Sequence, residues 1–308
     1  MDNFVNFLTV RNFDAQIYAF WDNAISNRSE QAKSKINELL ERNMKRLLTS
    51  EYTKQAYRAR LVEPQKYSEL VLDNGKKKKI EELFSGPSSI NGLPADKMGT
   101  PPSPTPGRAN DEKMPCLYLA SDVQTVCAEV QPRCEDIISV LEFSLASDMA
   151  LIDLRHIPKE VSNYNSKEDI DKLVDMLFCQ SLLYFFSRPA NLRNDQDYAC
   201  SQYASKYFFS KQVDGILYNS SHNYNSDAYN IVLFNPEKAT PKAEYGEAFR
   251  CLSVQTTFQN ISKSYTSHEK IDILEAKREE EPLRWNIIAL LQKELTEIQN
   301  AAIQERRK

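Results

Sequence analysis

Glycine and histidine are both scarce in this chain. Its 308 residues include seven glycines and only three histidines, at positions 156, 222 and 268. Catalysis by a Ser-His or Cys-His pair would therefore have very few bases to draw on. We expect the chemistry of this protein to avoid histidine.

Cysteine spacing argues against two further classes of protein. The six cysteines, at positions 116, 127, 134, 179, 200 and 251, form no CxxC pair and have no histidine at zinc-finger spacing. Neither a metal cluster nor a dense disulfide framework is indicated, and no metal site is predicted. Reduced thiols in the cytoplasm fit this pattern best.

Long apolar runs are also missing. No apolar stretch reaches the roughly 18 residues that span a bilayer, and the opening Met1-Asp2-Asn3-Phe4 lacks a basic segment followed by an apolar one. We therefore expect a cytoplasmic protein, without membrane insertion or a signal peptide. The formal charge of −4 and the pI of about 5.6 argue against a polyanion-binding surface, so nucleic acid is not expected as a partner.

Hydrophobic periodicity predicts a series of helices and strands. Apolar residues recur at three- and four-residue steps over 32–48, which indicates a helical lead-in. Further along, the pattern predicts strands at 116–120, 137–143, 150–154, 213–218 and 229–234, and helices after Ser121-Asp122, at 170–186 and at 199–211. A helical stripe within 283–308 is either a docking face onto the core or a surface for a partner or for self-association.

One stretch concentrates the glycine that the rest of the chain lacks. Five of the seven glycines lie within 75–107, together with a run of prolines at 101, 102, 104 and 106. This composition predicts a long loop. The four lysines at 76–79 at its start are either a solvated surface run or an attractor for anions.

Two segments carry arginines that could bind an anion. Arg58 and Arg60 alternate on an extended segment, so they point to the same side of a strand, where either could also form a structural ion pair. Arg108 follows the Gly107 turn, which can bring backbone amides and a guanidinium together at an anion. The alternative for Arg108 is an ordinary surface arginine in a turn.

Three other positions are candidates for a site. Tyr118 falls on an apolar strand, where it is either a core residue or an aromatic surface for a ligand. Glu129 follows on the next helix, where it is either a solvent-facing carboxylate or a functional one. Ser220 and Ser221 end a strand, and their hydroxyls suit the binding of a phosphate oxygen better than nucleophilic attack.

Taken together, these motifs resemble the RES domain family, which is named for its arginine, glutamate and serine. The resemblance extends over about residues 51–240. It is carried by Tyr57-Arg-Ala-Arg60, Phe84-Ser-Gly-Pro87, Gly107-Arg-Ala-Asn110, Leu117-Tyr-Leu-Ala-Ser-Asp122, Ala128-Glu-Val130, Ser201-Gln202, Asp214-Gly-Ile-Leu-Tyr-Asn-Ser220 and Asn230-Ile-Val-Leu-Phe-Asn-Pro236.

The resemblance implies an α+β fold, with an ADP-ribosyltransferase-like mixed β-sheet core, flanking helices, and helical N- and C-terminal extensions. It implies cleavage of the nicotinamide–ribose bond of NAD, with phosphate or water as acceptor. NAD is then the substrate and no separate cofactor is expected. Members of this family commonly act as toxins neutralised by an antitoxin, so an antitoxin or regulatory protein is an expected partner.

The resemblance also implies roles for individual residues. Arg58 and Arg108 would hold the diphosphate, and Tyr118 would stack near the nicotinamide. Glu129 would fix the ribose and stabilise the cation that forms on it. Ser220 corresponds to the family's serine, and Arg60 and Ser221 are further candidates for substrate binding.

Two features depart from the family pattern. The loop after Ser221 contains no glycine, and the chain carries a long insertion at about 155–197. We predict three segments: a helical extension at 1–50, the catalytic domain at 51–240 and a helical extension at 241–308. ADP-ribosylation of a macromolecule and a catalytically inactive, nucleotide-binding or partner-binding role remain as alternative functions.

Overall fold

The computed structural model describes residues 21, 30–62, 91–101, 103–157, 167–187, 198–222 and 227–254. The chain forms two compact units, one of residues 1–39, 158–181 and 255–308 and the other of residues 40–157 and 182–254. In the first unit, the buried Trp21 stacks on Phe178 with ring centroids 5.5 Å apart. Its indole nitrogen donates a hydrogen bond to Ser181 Oγ at 3.3 Å.

The second unit contains a mixed sheet of ten strands within the described residues. The strands are β1 (Leu48–Thr49), β2 (Gln55–Leu61), β3 (Asn91–Pro94), β4 (Leu117–Ala120), β5 (Ile137–Leu145), β6 (Leu151–Asp153), β7 (Gly215–Asn219), β8 (Tyr229–Leu233), β9 (Ala239–Pro241) and β10 (Tyr245–Arg250). The α-helices with bounds in the described residues are α1 (Glu30–Leu47), α2 (Ala95–Met98), α3 (Val123–Glu129), α4 (Lys167–Ser187) and α5 (Ala199–Ser210). The predicted α+β class, with a mixed sheet and helices, is confirmed.

The order of the strands leaves an opening in the middle of the sheet. The order is β1-β6-β7-β8-β4-β2-β5-β10-β3, with β9 paired to β5, and β6 and β7 are the parallel neighbours. β2 pairs with β5 over seven residues but with β4 only at Tyr57 and Ala120. Beyond that single pair, β2 and β4 separate.

Alternation along the strands divides the sheet into two apolar faces. On β4, Leu117 and Leu119 belong to the larger core cluster, and Ala120 belongs to the smaller one. Tyr118 alternates with the two leucines and therefore lies on the same face as Ala120. Helix α3 packs on this second face through Val126, which is 5% exposed.

Most of the predicted elements within the described residues are confirmed, with ends that differ by three residues or fewer. The helical lead-in corresponds to α1, and the two later predicted helices correspond to α4 and α5. None of the described helices is long and apolar enough to cross a membrane. Residues 63–90, which include the lysine run, and the predicted helix at 283–308 lie outside the described residues.

The predicted long loop contains regular structure that the sequence did not indicate. Strand β3 and the short helix α2 lie within it. Gly92 is part of β3, where an added Cβ would lie 2.4 Å from Ser139 Oγ and 2.9 Å from the carbonyl oxygen of Glu247. This glycine therefore permits close packing within the sheet, and its presence does not signal a flexible loop.

The sheet also continues past residue 240, where the sequence predicted the end of the catalytic domain. Strand β10 pairs with β5 from Glu247 opposite Val140 to Arg250 opposite Ile137. Its residues are mostly polar or partly exposed, so the strand has little hydrophobic signal. Its backbone hydrogen bonds come from neighbouring strands that are distant in sequence.

Candidate functional site

Helix α3 places Glu129 at the edge of the second face of the sheet. The helix begins at Asp122, whose side chain accepts hydrogen bonds from the backbone nitrogen of Thr125 at 2.8 Å and from its hydroxyl at 2.6 Å. It ends at Glu129, and Gln131 adopts a left-handed φ of 49° just beyond. The carboxylate therefore lies at the helix C-terminus, where the helix dipole does not stabilise negative charge and other donors must do so.

Two side chains supply these donors, and both bind the same oxygen of Glu129. Ser220 Oγ donates to Oε1 at 2.5 Å, and Asn230 Nδ2 donates to Oε1 at 2.8 Å. No donor from the described residues reaches Oε2. One carboxylate oxygen of Glu129 is thus held by two donors from the described residues.

Ser220 and Ser221 differ in what they contact. Ser220, directly after β7, donates to Glu129 and accepts a hydrogen bond from the backbone nitrogen of His222 at 3.1 Å. Ser221 makes no comparable side-chain contact with the described residues. The ring of His222 instead lies 3.3 Å from the side-chain nitrogen of Gln131, at the rim of the site.

Asn230 is a site residue that the sequence analysis did not single out. It is only 4% exposed, and the register of β8 places it opposite Tyr218 on β7 and Ala120 on β4. The sequence feature that could have pointed to Asn230 is its place as a polar residue at the start of the otherwise apolar segment Asn-Ile-Val-Leu-Phe. Its partner, Glu129, is 101 positions away in sequence, so local pattern could not reveal the contact.

A cavity of about 230 Å³ lies beside Glu129, where β2 and β4 separate. It is lined by Ala59, Tyr118, Leu119, Val126, Glu129, Val130, Tyr218 and Asn230. Because ligand pockets commonly measure about 300–1,000 Å³, this cavity is too small to enclose a dinucleotide. Its size suits one ring with part of the attached sugar.

Two tyrosines line the cavity, and burial raises the pKa of both phenols. The hydroxyl of Tyr118 accepts a hydrogen bond from the backbone nitrogen of Ala109 and donates one to Asn110 Oδ1, each at 2.8 Å. The ring of Tyr218 packs against Phe186 at a centroid distance of 5.6 Å. Both tyrosines are neutral at physiological pH, so they offer the cavity aromatic surface and no charge.

The predicted turn at Gly107 is present and tightly packed. The backbone nitrogen of Gly107 donates to the carbonyl oxygen of Asn110 at 2.9 Å. Gln202 on α5 donates to the carbonyl oxygens of Gly107 and Asn110, at 2.8 and 2.9 Å. An added Cβ on Gly107 would lie 2.9 Å from the hydroxyl of Tyr118, so only glycine fits here without displacement.

Arg58 and Arg60 extend from the same side of β2, as the alternation predicted. The register places Arg58 opposite Leu141 and Arg60 opposite Ser139, on the face opposite Ala59. Neither forms an ion pair with a described residue. Arg60 Nη2 donates to the carbonyl oxygen of Gly99 at 2.8 Å, but Arg60 Nε and Arg58 Nη1 are buried without a hydrogen-bond partner among the described residues.

The surroundings of these two arginines disfavour their positive charge. Burial, followed by the nearby charge of Arg60, lowers the pKa of Arg58 to about 9, while the phenol of Tyr118 acts in the opposite direction. Burial also lowers the pKa of Arg60. A bound anion would relieve both the desolvation of these cations and their mutual repulsion.

Arg108 lies near both tyrosines. Its Nη1 donates to the carbonyl oxygen of Phe185 at 3.1 Å, and its guanidinium lies 5.8 Å from the ring centroid of Tyr198. Its charge lowers the pKa of Tyr218 and Tyr118, partly offsetting the effect of burial. The charges of Arg58 and Arg108 thus both act on Tyr118, which lines the cavity.

The comparisons with known proteins identify the family of the chain. A family model for the RES domain matches residues 86–251, and no curated protein matches the chain. The match includes Arg108, Tyr118, Glu129, Ser220 and Asn230, and it begins after β2 with its two arginines. Because the match covers more than half of the 308 residues and includes the entire Glu129 cluster, the chain belongs to the RES domain family.

Proposed function

We propose that this protein is an NAD-degrading enzyme that cleaves the bond between nicotinamide and ribose, with phosphate or water as acceptor. The observation that carries the proposal is the placement of Glu129, whose Oε1 is held by Ser220 and Asn230 and which lines a cavity together with two tyrosines. The association of the RES domain family with NAD supports the choice of substrate.

The reaction requires a negative charge close to the ribose. As the C–N bond breaks, positive charge develops on the anomeric carbon and the ring oxygen of the sugar. Glu129 Oε2 would face that carbon and stabilise the cation electrostatically. Since Oε1 is already fixed by two donors, the carboxylate would need little reorganisation during the reaction.

The leaving group needs no proton donor. Nicotinamide departs with the electron pair of the broken bond, and this pair neutralises the positive charge on its ring nitrogen. A general acid is therefore unnecessary, which agrees with the scarcity of histidine. The rings of Tyr118 and Tyr218 would hold the nicotinamide through aromatic contact.

The arginines would bind the rest of the substrate. A dinucleotide extends beyond a cavity of about 230 Å³, and its diphosphate needs cations outside it. Arg58 and Arg60 have buried nitrogens without a partner among the described residues, and the charge of Arg108 reaches both tyrosines of the cavity. These three side chains are the proposed diphosphate ligands.

The acceptor completes the reaction by bonding to the anomeric carbon. Water would yield ADP-ribose and a proton, which Glu129 could accept, and phosphate would yield a phosphorylated ADP-ribose. Either reaction depletes NAD, which would make an active enzyme harmful to a cell. We therefore propose a toxin whose activity is restrained by an antitoxin or regulatory protein.

The test is direct. Purified full-length protein is incubated with NAD in the presence and absence of phosphate, and the products are identified by mass spectrometry. Nicotinamide release is expected, and the mass of the second product identifies the acceptor. Absence of release under both conditions contradicts the proposal, and transfer of ADP-ribose to an added protein would instead indicate a transferase.

A charge-removing variant tests the role of the carboxylate. Glu129→Gln preserves size and is expected to lower the rate by at least ~100-fold, because it removes the charge that stabilises the transition state. Glu112→Gln is the matched control, since Glu112 is exposed and lies outside the cavity lining. Equal rates for the two variants would exclude Glu129 as the catalytic carboxylate.

A further inference from the structure

The side-chain amide of Asn230 has a fixed orientation. An ionised carboxylate only accepts hydrogen bonds, so the group that faces Glu129 Oε1 at 2.8 Å must be the NH₂ of Asn230. The amide oxygen Oδ1 must therefore point away from Glu129. This assignment follows from the chemistry of the two groups and does not depend on the distance alone.

The amide oxygen has no donor within the described part of the chain. Asn230 is 4% exposed and lines the cavity. A polar oxygen that borders a cavity accepts its hydrogen bond from water or from a ligand. The cavity therefore offers a ligand a carboxylate oxygen on Glu129 and an amide oxygen on Asn230.

We infer that Asn230 contacts the substrate, accepting a hydrogen bond through Oδ1 while its Nδ2 positions Glu129. The inference rests on the proposed function and adds a substrate-recognition role to the same cavity. The group recognised is a hydrogen-bond donor next to the cleaved bond. Two parts of NAD supply such a donor, namely the carboxamide of nicotinamide and the hydroxyls of the adjoining ribose.

Asn235 provides a matched control from the same chain. Its Nδ2 donates to Asp214 Oδ1 at 2.9 Å, so it also pairs with a carboxylate that is largely buried. That carboxylate is bound in addition by the backbone nitrogen of Ala150 at 2.9 Å and by Lys238 at 3.0 Å. Neither Asn235 nor Asp214 lines the cavity.

Binding of the two reaction products identifies the donor. Isothermal titration calorimetry is performed with nicotinamide, nicotinic acid and ADP-ribose on wild-type, Asn230→Ala and Asn235→Ala proteins. If the carboxamide is the donor, Asn230→Ala weakens nicotinamide roughly 10-fold and leaves nicotinic acid, which lacks the NH₂ group, unchanged. If a ribose hydroxyl is the donor, ADP-ribose is weakened instead.

The failure of this inference can be distinguished from failure of the proposed function. Product binding is measurable whether or not the wild-type protein cleaves NAD. Lack of nicotinamide release contradicts the proposed function. Equal affinities of wild-type and Asn230→Ala proteins for both products overturn the substrate contact assigned to Asn230.

The role of Asn230 in positioning Glu129 is tested separately, by the pH dependence of NAD cleavage. Asn230→Asp keeps an acceptor at the cavity but replaces the donor to Glu129 with a second carboxyl. Two carboxyls at hydrogen-bond distance share a proton, and one pKa of the pair is raised. The shared proton restores the donor, so activity of this variant is expected to recover as the pH falls through that raised pKa.

Other titratable groups near the pair do not produce this behaviour. The titratable groups that line the cavity with the pair are Tyr118 on β4 and Tyr218 on β7, the His222 ring lies beyond β7, and the charge of Arg108 reaches Tyr218. All are present in the wild-type protein, so any titration of theirs appears in both profiles. The difference between the wild-type and Asn230→Asp profiles isolates the new carboxyl pair.

The control variant is Asn235→Asp, which creates a similar carboxyl pair with Asp214 outside the cavity. The stability of this variant is expected to vary with pH. The pH profile of NAD cleavage by the folded variant is expected to match that of the wild type. A folded Asn230→Asp protein whose profile has the wild-type shape would overturn the positioning role. The same variant inactive at every pH would overturn it as well.

Discussion

Ser220 and Glu129 are 91 positions apart in sequence, yet the serine hydroxyl donates a hydrogen bond to Glu129 Oε1 at 2.5 Å. The hydroxyl also accepts a hydrogen bond from the backbone nitrogen of His222, so its proton is directed at the carboxylate. A serine arranged in this way orients the glutamate and is poorly suited to act as a nucleophile. The position of Glu129 Oε1 thus depends on Ser220, the residue that directly follows β7.

We predict that Ser220→Ala lowers the rate of NAD cleavage by about 10- to 100-fold, because Glu129 loses one of two groups that hold Oε1. The measurement is steady-state nicotinamide release, with folding verified by circular dichroism. Ser253→Ala, at an exposed position outside the cavity lining, is the control and is expected to retain wild-type activity. Equal losses in the two variants would show that the contact between Ser220 and Glu129 does not set the rate.

We predict that Tyr118→Phe reduces stability more than activity. The change removes the hydroxyl that pairs with Ala109 and Asn110, and a buried backbone donor left unpaired costs about 1–3 kcal/mol. The ring that lines the cavity is kept, so turnover by the folded protein is expected to stay close to wild type. Urea denaturation and nicotinamide release measure the two effects, and a large loss of turnover at unchanged stability would assign the hydroxyl to the chemistry.

We predict that Gly107→Ala destabilises the protein by about 1–3 kcal/mol, because the added Cβ would lie 2.8 Å from Asn110 Oδ1 and 2.9 Å from the hydroxyl of Tyr118. The free energy of unfolding is measured in urea. Gly99→Ala is the control, since its Cβ would meet only the carbonyl oxygen of Asp96, at 3.9 Å, and its φ of −76° suits alanine. That variant is expected to gain about 0.4–1 kcal/mol.

We predict that Arg58→Met stabilises the ligand-free protein by about 1–4 kcal/mol at pH 7, because a buried cation without a partner among the described residues is replaced by an apolar side chain. The same change is expected to weaken NAD binding. Arg133→Met, at an exposed position, is the control and is expected to leave both quantities unchanged.

The pH dependence of this stabilisation has a defined sign. The pKa of Arg58 is lowered to about 9 in the folded protein, so above this pH the unfolded chain binds more protons than the folded one until it also loses the proton. The free energy of unfolding of the wild-type protein therefore increases as the pH rises above about 9, because Arg58 loses its proton more readily in the folded state. The advantage of Arg58→Met should therefore shrink in alkaline solution, and a variant less stable than wild type at pH 7 would contradict the prediction.

Much of the central fold could be predicted from the sequence. Strands β4, β5, β7 and β8 are short apolar segments bounded by polar residues or turns, so their local pattern is sufficient. Strands β3 and β10 could not be predicted, because they are short and partly polar and obtain their hydrogen bonds from neighbours distant in sequence. The glycines in and near β3 suggested a loop, although Gly92 permits close packing within the sheet.

For the candidate site, the sequence by itself determined which chemical groups are present and in what order, and local periodicity placed them near the ends of strands and helices. Only the tertiary structure decided which groups meet. It brought Ser220 to Glu129, added Asn230 to the same oxygen and left Arg58 without a partner among the described residues. The physical reason is that hydrogen bonds and charge pairs depend on distances across the sheet, and these are set by strand order and register.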